Sequence, residues 1–360
     1  MKVQRTSVGL DVHARSVVAC ALDGDTGEVF ERRLTPDRGE VVAWLSDLPG
    51  PVAATYEAGP TGFGLARALD AAGIACVVAA PSKLIRPAGD RVKTDARDAA
   101  HLARLLHLGQ ITEVTIPGVE QEAARDLVRA REDCRGDLMT ARHRLSKLLL
   151  RQGIVYSGGK TWIRDHERWL RAQRFDNPAL QLSFDSAFEA MLACVDRRNR
   201  LDEAIAAMAA DSEFTSVVRR LCCIRGIATL TGFGLAVEIG DWNRLTGRTI
   251  GAYLGLVPSE YSSGATRAQG GVTKTGNGHA RRLLVEAAWH HRPPYRLSAG
   301  LRRRWELAPA AARARAQVAN RRLHTRWLSF DERKKRSVVA NVAIARELAG
   351  WCWSVAVLPD

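Results

Sequence analysis

The sequence near the amino terminus reads Val8-Gly9-Leu10-Asp11-Val12-His13, an apolar run that ends at one aspartate. A second apolar run, Val52-Ala53-Ala54-Thr55-Tyr56, ends in the same way at Glu57. Both runs have the composition of β-strands. A third segment, Lys93-Thr94-Asp95-Ala96-Arg97-Asp98, opens a helical pattern in which two aspartates three residues apart share one face. The sequence therefore predicts four carboxylates at two strand ends and one helix start.

These four carboxylates, Asp11, Glu57, Asp95 and Asp98, are the candidate catalytic residues and metal ligands. Oxygen ligands of this kind suit hard divalent cations, and a cluster of like charges is costly unless a metal or a proton neutralises it. The predicted chemistry is two-metal phosphoryl transfer on nucleic acid, with two Mg²⁺ ions that Mn²⁺ can replace. We interpret Arg97 and Lys93 as phosphate contacts or partners of this acidic cluster. His13 fits either a phosphate contact or an ordinary surface position.

The first 118 residues alternate between strand and helix patterns. The pattern predicts strands over 7–12, 16–22, 28–34, 51–56 and 74–79, and helices over 37–48, 61–72 and 94–108. Gly24-Asp25-Thr26-Gly27 is typical of a hairpin turn, and Thr94 is a suitable N-cap. Three antiparallel strands followed by alternating helices and strands are expected of a ribonuclease-H-like α/β fold. We expect residues 1–118 to form this catalytic domain.

Residues 119–212 have the pattern of a helical coiled-coil stalk. Apolar residues from Leu127 to Leu148 follow heptad spacing, and a second seam runs from Phe188 to Met208. Two antiparallel helices are therefore expected. Their seam either closes a hairpin within one chain or joins two subunits, and the pattern allows both.

The sequence pattern changes after residue 212, and residues 213–360 are expected to form a third, mainly α-helical domain. Ile224-Arg225-Gly226-Ile227 resembles a helix–hairpin–helix turn, whose backbone N–H groups can contact phosphates. A glycine-rich segment with serines and basic residues follows over 255–282. It is a plausible site for a nucleic-acid backbone, and Arg267, Lys274 and Arg281 are candidates to hold the scissile phosphate.

The positive charge is concentrated in the last third of the chain. Residues 281–336 hold sixteen Lys and Arg against four Asp and Glu, a net of +12 out of +14 for the whole chain. Such concentration indicates a polyanion, usually nucleic acid, and Arg302, Arg303 and Arg304 are candidate contacts. Trp305 and Trp327, which lie among these arginines, could stack on unpaired bases. A solvated basic surface is the simpler alternative.

Composition also excludes several classes of protein. No apolar stretch approaches the roughly 18 residues that a membrane helix needs, and the start lacks a secretory signal pattern. The seven cysteines show no C-x-x-C pair, so we expect small buried hydrophobic residues in a reducing compartment, without zinc or disulfides. These features predict a cytoplasmic protein without membrane partners.

Four motifs in register resemble the insertion-sequence one-ten family of transposases. They are the segments that begin at Gly9, Tyr56 and Lys93, and the pair Tyr261-Ser262-Ser263-Gly264 and Gly270-Gly271-Val272-Thr273-Lys274-Thr275-Gly276-Asn277. The similarity extends from the first strand to about Trp353. It implies a RuvC-like DEDD domain, a coiled-coil insert and a C-terminal transposase domain with a nucleophilic serine. The DEDD set then falls on the four carboxylates, and the serine on Ser263, with Ser262 as the alternative.

The resemblance also implies the reaction and its partners. It implies metal-dependent recombination of target and donor DNA, guided by a structured bridge RNA, by dimers that assemble into tetramers. A serine hydroxyl is a poor nucleophile unless it is activated, so a composite site with the DEDD metals is expected.

Three rival functions would assign these residues differently. A junction-resolving endonuclease would use the carboxylates with water as nucleophile. An actin-like or sugar-kinase-like ATPase also ends its first strand in an aspartate, but it needs a second phosphate loop that the sequence lacks. A non-catalytic RNA-binding protein would not need four placed carboxylates.

Overall fold

A computed structural model of the chain describes residues 5–85, 94–264 and 266–359. It divides into two compact units, Met1–Gly118 and Val119–Asp360. The first unit mixes strands and helices, and the second is mostly helical. Residues 119–212 and 213–360, which the sequence analysis separates, lie together in the second unit.

The first unit is built on a five-stranded mixed sheet. Its elements are β1 (Thr6–Val12), β2 (Val17–Asp23), β3 (Val29–Leu34), α1 (Arg38–Ser46), β4 (Val52–Glu57), α2 (Gly64–Ala71), β5 (Ala75–Ala79), a 3₁₀ turn (Pro81–Lys83) and α3 (Asp95–His107). The strand order is β3-β2-β1-β4-β5. β1 is antiparallel to β2 and parallel to β4, and β4 is parallel to β5. This arrangement fits the ribonuclease-H-like expectation.

The predicted elements of this unit all form, with small differences at their ends. Asp37 caps α1 by accepting a hydrogen bond from the Glu40 N–H, and Thr94 caps α3. Helix α2 begins at Gly64 and not at Thr61. The reason is a turn at Gly62, which has a φ of +69° and whose carbonyl accepts a hydrogen bond from the Tyr56 hydroxyl.

The second unit contains the remaining elements. They are α4 (Val119–Arg151), α5 (Arg164–Arg171), α6 (Pro178–Ala210), α7 (Thr215–Leu221), α8 (Thr229–Ile239), α9 (Ile250–Tyr253), β6 (Pro258–Glu260), β7 (Gln269–Val272), α10 (Gly278–Ala288), a 3₁₀ turn (Trp289–His291), α11 (Ala299–Glu306), α12 (Ala310–Glu332) and α13 (Ser337–Ala356). No helix among the described residues is long and apolar enough to span a membrane.

The stalk helices α4 and α6 pack against each other within one chain. Leu145 is fully buried in a cluster with Phe184, Phe188 and Met191 of the opposite helix. Arg131 and Asp202 add an ion pair of 2.7 Å between the two helices. Of the two alternatives for the heptad seam, the structure shows the intramolecular hairpin.

This packing predicts a large loss of stability for Leu145→Ala. Removing a fully buried leucine side chain should lower the free energy of unfolding by roughly 2–5 kcal/mol. The matched control is Leu150→Ala on the same helix, because Leu150 is 52% exposed and its truncation should change stability by about 0.5 kcal/mol or less. Urea denaturation of both variants measures the difference, and equal effects would contradict the hairpin core.

In the second unit, one side chain expected to stack on bases is buried, and two backbone donors expected to contact phosphates are already paired. In the turn at 224–227, two backbone N–H groups are not available to phosphates, because that of Arg225 donates to Asn320 Oδ1 and that of Ile227 donates to the Ile224 carbonyl. Trp327 is fully buried, and Trp305 donates its indole N–H to the Cys223 carbonyl. Trp327, which is part of α12, is therefore closed to a stacking base, whereas Trp305 is half-buried.

The structure also places the carboxy-terminal tryptophans and the cysteines. Trp351 and Trp353 pack against the main hydrophobic core. All seven cysteines are free, five of them buried and the other two half-buried.

Candidate active site

Asp11 and Glu57 lie at the same edge of the central sheet. β1 and β4 are adjacent and parallel, and Leu10 is paired with Tyr56. Asp11 and Glu57, which follow these two residues, are therefore also neighbours. Paired residues of parallel strands point to the same face of the sheet. The two carboxylates therefore lie side by side at this edge, and both are half-buried.

Helix α3 brings two further carboxylates to this face. The Thr94 hydroxyl accepts a hydrogen bond from the Arg97 N–H, which starts the helix, and Asp95 and Asp98 occupy its first turn. Gly9 allows the helix to approach, because a Cβ atom at this position would lie 2.0 Å from the Ala99 carbonyl oxygen.

Gly9 also explains why the aspartate of β1 meets the helix. Residues two apart in a strand share a face, so Asp11 points to the same side as Gly9, towards α3. The glycine in the opening motif is thus a packing requirement of the site.

His13 completes a compact cluster with two of the aspartates. Its Nε2 lies 3.1 Å from Asp11 Oδ2 and 3.9 Å from Asp95 Oδ1. The candidate ligand atoms of these three residues all lie within 4.8 Å of one another. The side chains of His13 and Asp95 are 54% and 50% exposed, so a substrate can reach them. Two carboxylates and an imidazole fit a divalent cation.

His13 was not expected in this cluster, although its position two residues after Asp11 was the available signal. Among the described residues, Glu57 and Asp98 are not members of the compact set. Glu57 lies at the same sheet edge as Asp11, and Asp98 lies in the same first turn of α3 as Asp95. Arg97 is exposed on that turn. Lys93 lies outside the described residues.

The two candidate serines lie in the exposed β6–β7 hairpin. The Ser262 hydroxyl donates to Glu260 Oε1 at 2.8 Å, and the Gln269 side-chain amide donates to Glu260 Oε2 at 3.1 Å. The hydrogen bonds from Gln269 and then Ser262 lower the pKa of Glu260. Ser263 exchanges backbone hydrogen bonds with Thr266. Ser262 therefore has a carboxylate as hydrogen-bond acceptor, whereas Ser263 lies at the tip.

The basic residues of the glycine-rich segment have different roles. Arg267 is 70% exposed and lies 3.3 Å from Glu260 Oε1. Lys274 is exposed, with a φ of +56°. Arg281 donates from Nη1 to the Leu254 and Thr275 carbonyls, both at 2.9 Å. Arg281 therefore anchors the loop, and the other two basic side chains are accessible.

Asn277 and His279 of this segment face inward onto the buried carboxylate of Glu238. Asn277 Nδ2 donates to Glu238 Oε2 at 2.7 Å, and His279 Nδ1 lies 2.9 Å from Oε1. Arg129 of the stalk forms an ion pair with the same carboxylate at 3.0 Å. Burial raises the pKa of Glu238, but these hydrogen bonds outweigh burial and lower it to about 2. Glu238, which the sequence analysis missed, thus connects the glycine-rich loop with the stalk.

The lowered pKa of Glu238 predicts a pH-dependent contribution to stability. The ionised form contributes fully above its ordinary value of 4.5, and the contribution is lost as the pH falls towards about 2. Glu238→Gln should therefore lower the free energy of unfolding by roughly 2–4 kcal/mol at pH 7, and by less at pH 3. Urea denaturation at the two pH values measures this. The exposed Glu213→Gln is the control, and an unchanged gap at pH 3 would contradict the argument.

Two transposase family models match separate parts of this chain. A family model of the IS110 DEDD type, described as "Transposase", matches residues 8–153. A second, described as "Transposase IS116/IS110/IS902 family", matches residues 218–299. The matched ranges contain both the acidic cluster and the serine hairpin.

Three relatives are similar over nearly the full length. A putative transposase of Sinorhizobium fredii is 38% identical and covers 97% of this chain and 88% of its own. The transposase for insertion sequence element IS1533 of Leptospira borgpetersenii is 30% identical, over 92% of this chain and 99% of its own. A probable family 20 transposase of Pseudomonas aeruginosa is 24% identical, over 97% and 96%.

Proposed function

Because the chain belongs to the IS110 (one-ten) family of insertion-sequence transposases, we propose that it recombines DNA by metal-dependent cleavage through a serine–DNA intermediate. As a DNA transposase, the protein acts on the DNA of the insertion element and on the target DNA. The observation that carries the metal-dependent part is the convergence of Asp11, His13 and Asp95 within 4.8 Å. We further propose a RuvC-like fold for residues 1–118, with 119–212 as stalk and 213–360 as transposase domain.

The acidic cluster supports divalent-cation binding. Asp11, Glu57, Asp95 and Asp98 would hold Mg²⁺, as two ions, with Mn²⁺ as a substitute. A bound cation would supply Lewis-acid stabilisation of the negative charge that develops on the phosphoryl oxygens. His13 orients the Asp11 carboxylate through its 3.1 Å contact. The exposed Arg97 would hold the adjacent DNA backbone.

The serine hairpin supports the covalent step. The serine oxygen attacks the scissile phosphorus, so an Oγ–P bond forms while the P–O bond to the departing strand breaks. The hydroxyl proton passes to a base, and the departing oxygen takes up a proton. We propose Ser263 as nucleophile. Ser262 remains the alternative, because Glu260 already accepts its hydroxyl hydrogen bond at 2.8 Å. Arg267 and Lys274 would neutralise the phosphate.

Family membership also supports proposals about partners. We propose that a structured bridge RNA guides the choice of target and donor DNA, and that the protein acts in the bacterial cytoplasm as dimers that form tetramers. The exposed side chains of Arg302 and Arg303 on α11 offer positive charge to a nucleic-acid backbone.

The experiment that tests the proposal uses the full chain, DNA carrying its element ends, and RNA transcribed from the element. Denaturing electrophoresis should show labelled DNA attached to protein when Mg²⁺ is present, and the label should be released by protease. Excess chelator should remove both the adduct and the recombinant product. Cleavage that leaves only free hydroxyl and phosphate ends would instead support a junction-resolving endonuclease with water as nucleophile.

A further inference from the structure

Three arginines from separate parts of the second unit line one cavity. Arg225 follows α7, Arg296 lies in the segment before α11, and Arg304 is on α11 itself. The cavity has a volume of about 400 Å³. Its lining contains no acidic side chain, so three positive charges share one concave surface.

Two of these guanidinium groups are held in place by backbone carbonyls. Arg225 Nη1 donates to the carbonyls of Pro293 and Pro294 at 3.0 and 2.8 Å. Arg304 Nε donates to the Cys222 carbonyl at 3.1 Å. A guanidinium has five N–H donors, so each keeps further donors for a ligand. The arginines are thus positioned before any ligand binds.

Among the described residues, the three cavity arginines lack the kind of carboxylate partner that Arg129 and Arg131 have. Arg129 pairs with Glu238, and Arg131 pairs with Asp202. In the part of the chain that the structure describes, no carboxylate lies within ion-pair distance of the three cavity arginines. Mutual repulsion makes such a cluster unfavourable unless an anion neutralises it.

One neighbouring feature supports an anionic ligand. Ser298, which lines the cavity, caps α11 by accepting a hydrogen bond from the Leu301 N–H. The amino-terminal end of α11 therefore adds positive potential at the cavity wall.

We propose that Arg225, Arg296 and Arg304 form a binding site for one backbone phosphate of a nucleic-acid strand. Planar guanidinium groups match the geometry of phosphate oxygens and bind them through paired hydrogen bonds. The cavity is of the size that small ligands occupy. The identity of the strand rests on the proposed function, whereas phosphate binding itself does not.

The first test uses inorganic phosphate and the full chain at low ionic strength. Wild-type protein should bind phosphate saturably in ³¹P NMR titrations. Arg296→Gln should weaken binding about tenfold or more, since a charge-assisted hydrogen bond is lost. Within the part of the chain that the structure describes, the Arg296 side chain makes no hydrogen bond. Arg296→Gln should therefore retain the fold. Arg225→Gln, with its melting temperature measured in parallel, should weaken binding as well.

The control is Arg315→Gln, which removes an exposed arginine of α12 outside the cavity and should leave phosphate binding unchanged. Equal binding by wild type and Arg296→Gln, or equal losses in Arg296→Gln and Arg315→Gln, would overturn the site.

The second test identifies the source of the phosphate. Single-stranded DNA and RNA oligonucleotides without terminal phosphates should each be added to the phosphate-bound protein. Displacement by either strand supports the backbone assignment, and the stronger competitor identifies DNA or RNA. Failure of both strands to displace phosphate would overturn that assignment. Neither test depends on recombination, so both are informative even if the serine mechanism fails.

Discussion

DNA cleavage by the Asp11→Asn variant is expected to fall at least about 1,000-fold, with the fold retained. Asparagine has nearly the same volume, so packing at the end of β1 should not change. The substitution removes the negative charge that attracts the cation, and metal stabilisation of a phosphoryl transition state is worth several kcal/mol, where 1.36 kcal/mol corresponds to tenfold in rate. Quantified cleavage of labelled element DNA in Mg²⁺ measures the loss.

The control for Asp11→Asn is Asp70→Asn, which changes an exposed carboxylate of α2 in the same unit. It should cleave at the wild-type rate. Mn²⁺ binding followed by electron paramagnetic resonance gives a readout independent of activity, and only Asp11→Asn should weaken it. Undiminished cleavage by Asp11→Asn, or full activity in excess chelator, would contradict a metal site at this sheet edge.

Ser263→Ala is expected to eliminate the covalent protein–DNA adduct and recombination together. A phosphoserine bond retains the energy of the phosphodiester, so strands can be exchanged and resealed without ATP, and alanine has no oxygen to form that bond. Binding of Mn²⁺ and nucleic acid should persist, because the acidic cluster and the exposed basic residues are unchanged. Denaturing gels of labelled DNA detect the adduct, and the expected loss is complete within detection.

Ser262→Ala is the matched control because it removes the neighbouring hydroxyl from the same hairpin. It should keep at least partial activity. The opposite result, an adduct in Ser263→Ala and none in Ser262→Ala, would assign the reaction to Ser262 and give Glu260 the role of proton acceptor. If neither substitution matters and the cleaved ends are free, water is the nucleophile.

Local sequence patterns were sufficient to predict most elements of the first unit. Apolar runs with turn signals, and a helix with Thr94 as its cap, depend on interactions between residues close in the chain. Their ends differ by a few residues where a turn such as Gly62 is stabilised by Tyr56. The placement of Asp11 and Glu57 follows from the same logic, since parallel strands bring their carboxyl ends to one edge.

Side-chain partners in the second unit could not be predicted in this way. Arg302, Arg303 and Arg304 are consecutive and chemically identical, yet two are exposed and the third donates to the Cys222 carbonyl. Trp327 lies among arginines and is fully buried. Helical periodicity shows that a helix has an apolar face. The element packed against that face determines which side chains are buried.

The sequence by itself therefore determined the order of strands and helices, the four carboxylates at element ends and the concentration of positive charge. Only the tertiary structure decided that His13 joins Asp11 and Asp95, that Glu238 connects Asn277 with the stalk, and that three arginines share a cavity. The physical reason is sequence separation. Strand, turn and cap preferences arise from neighbouring residues, whereas these groupings require distant segments to pack, as with Arg129 and Glu238, which are 109 residues apart. Close packing such as that of Gly9 against α3 then sets which atoms come into contact.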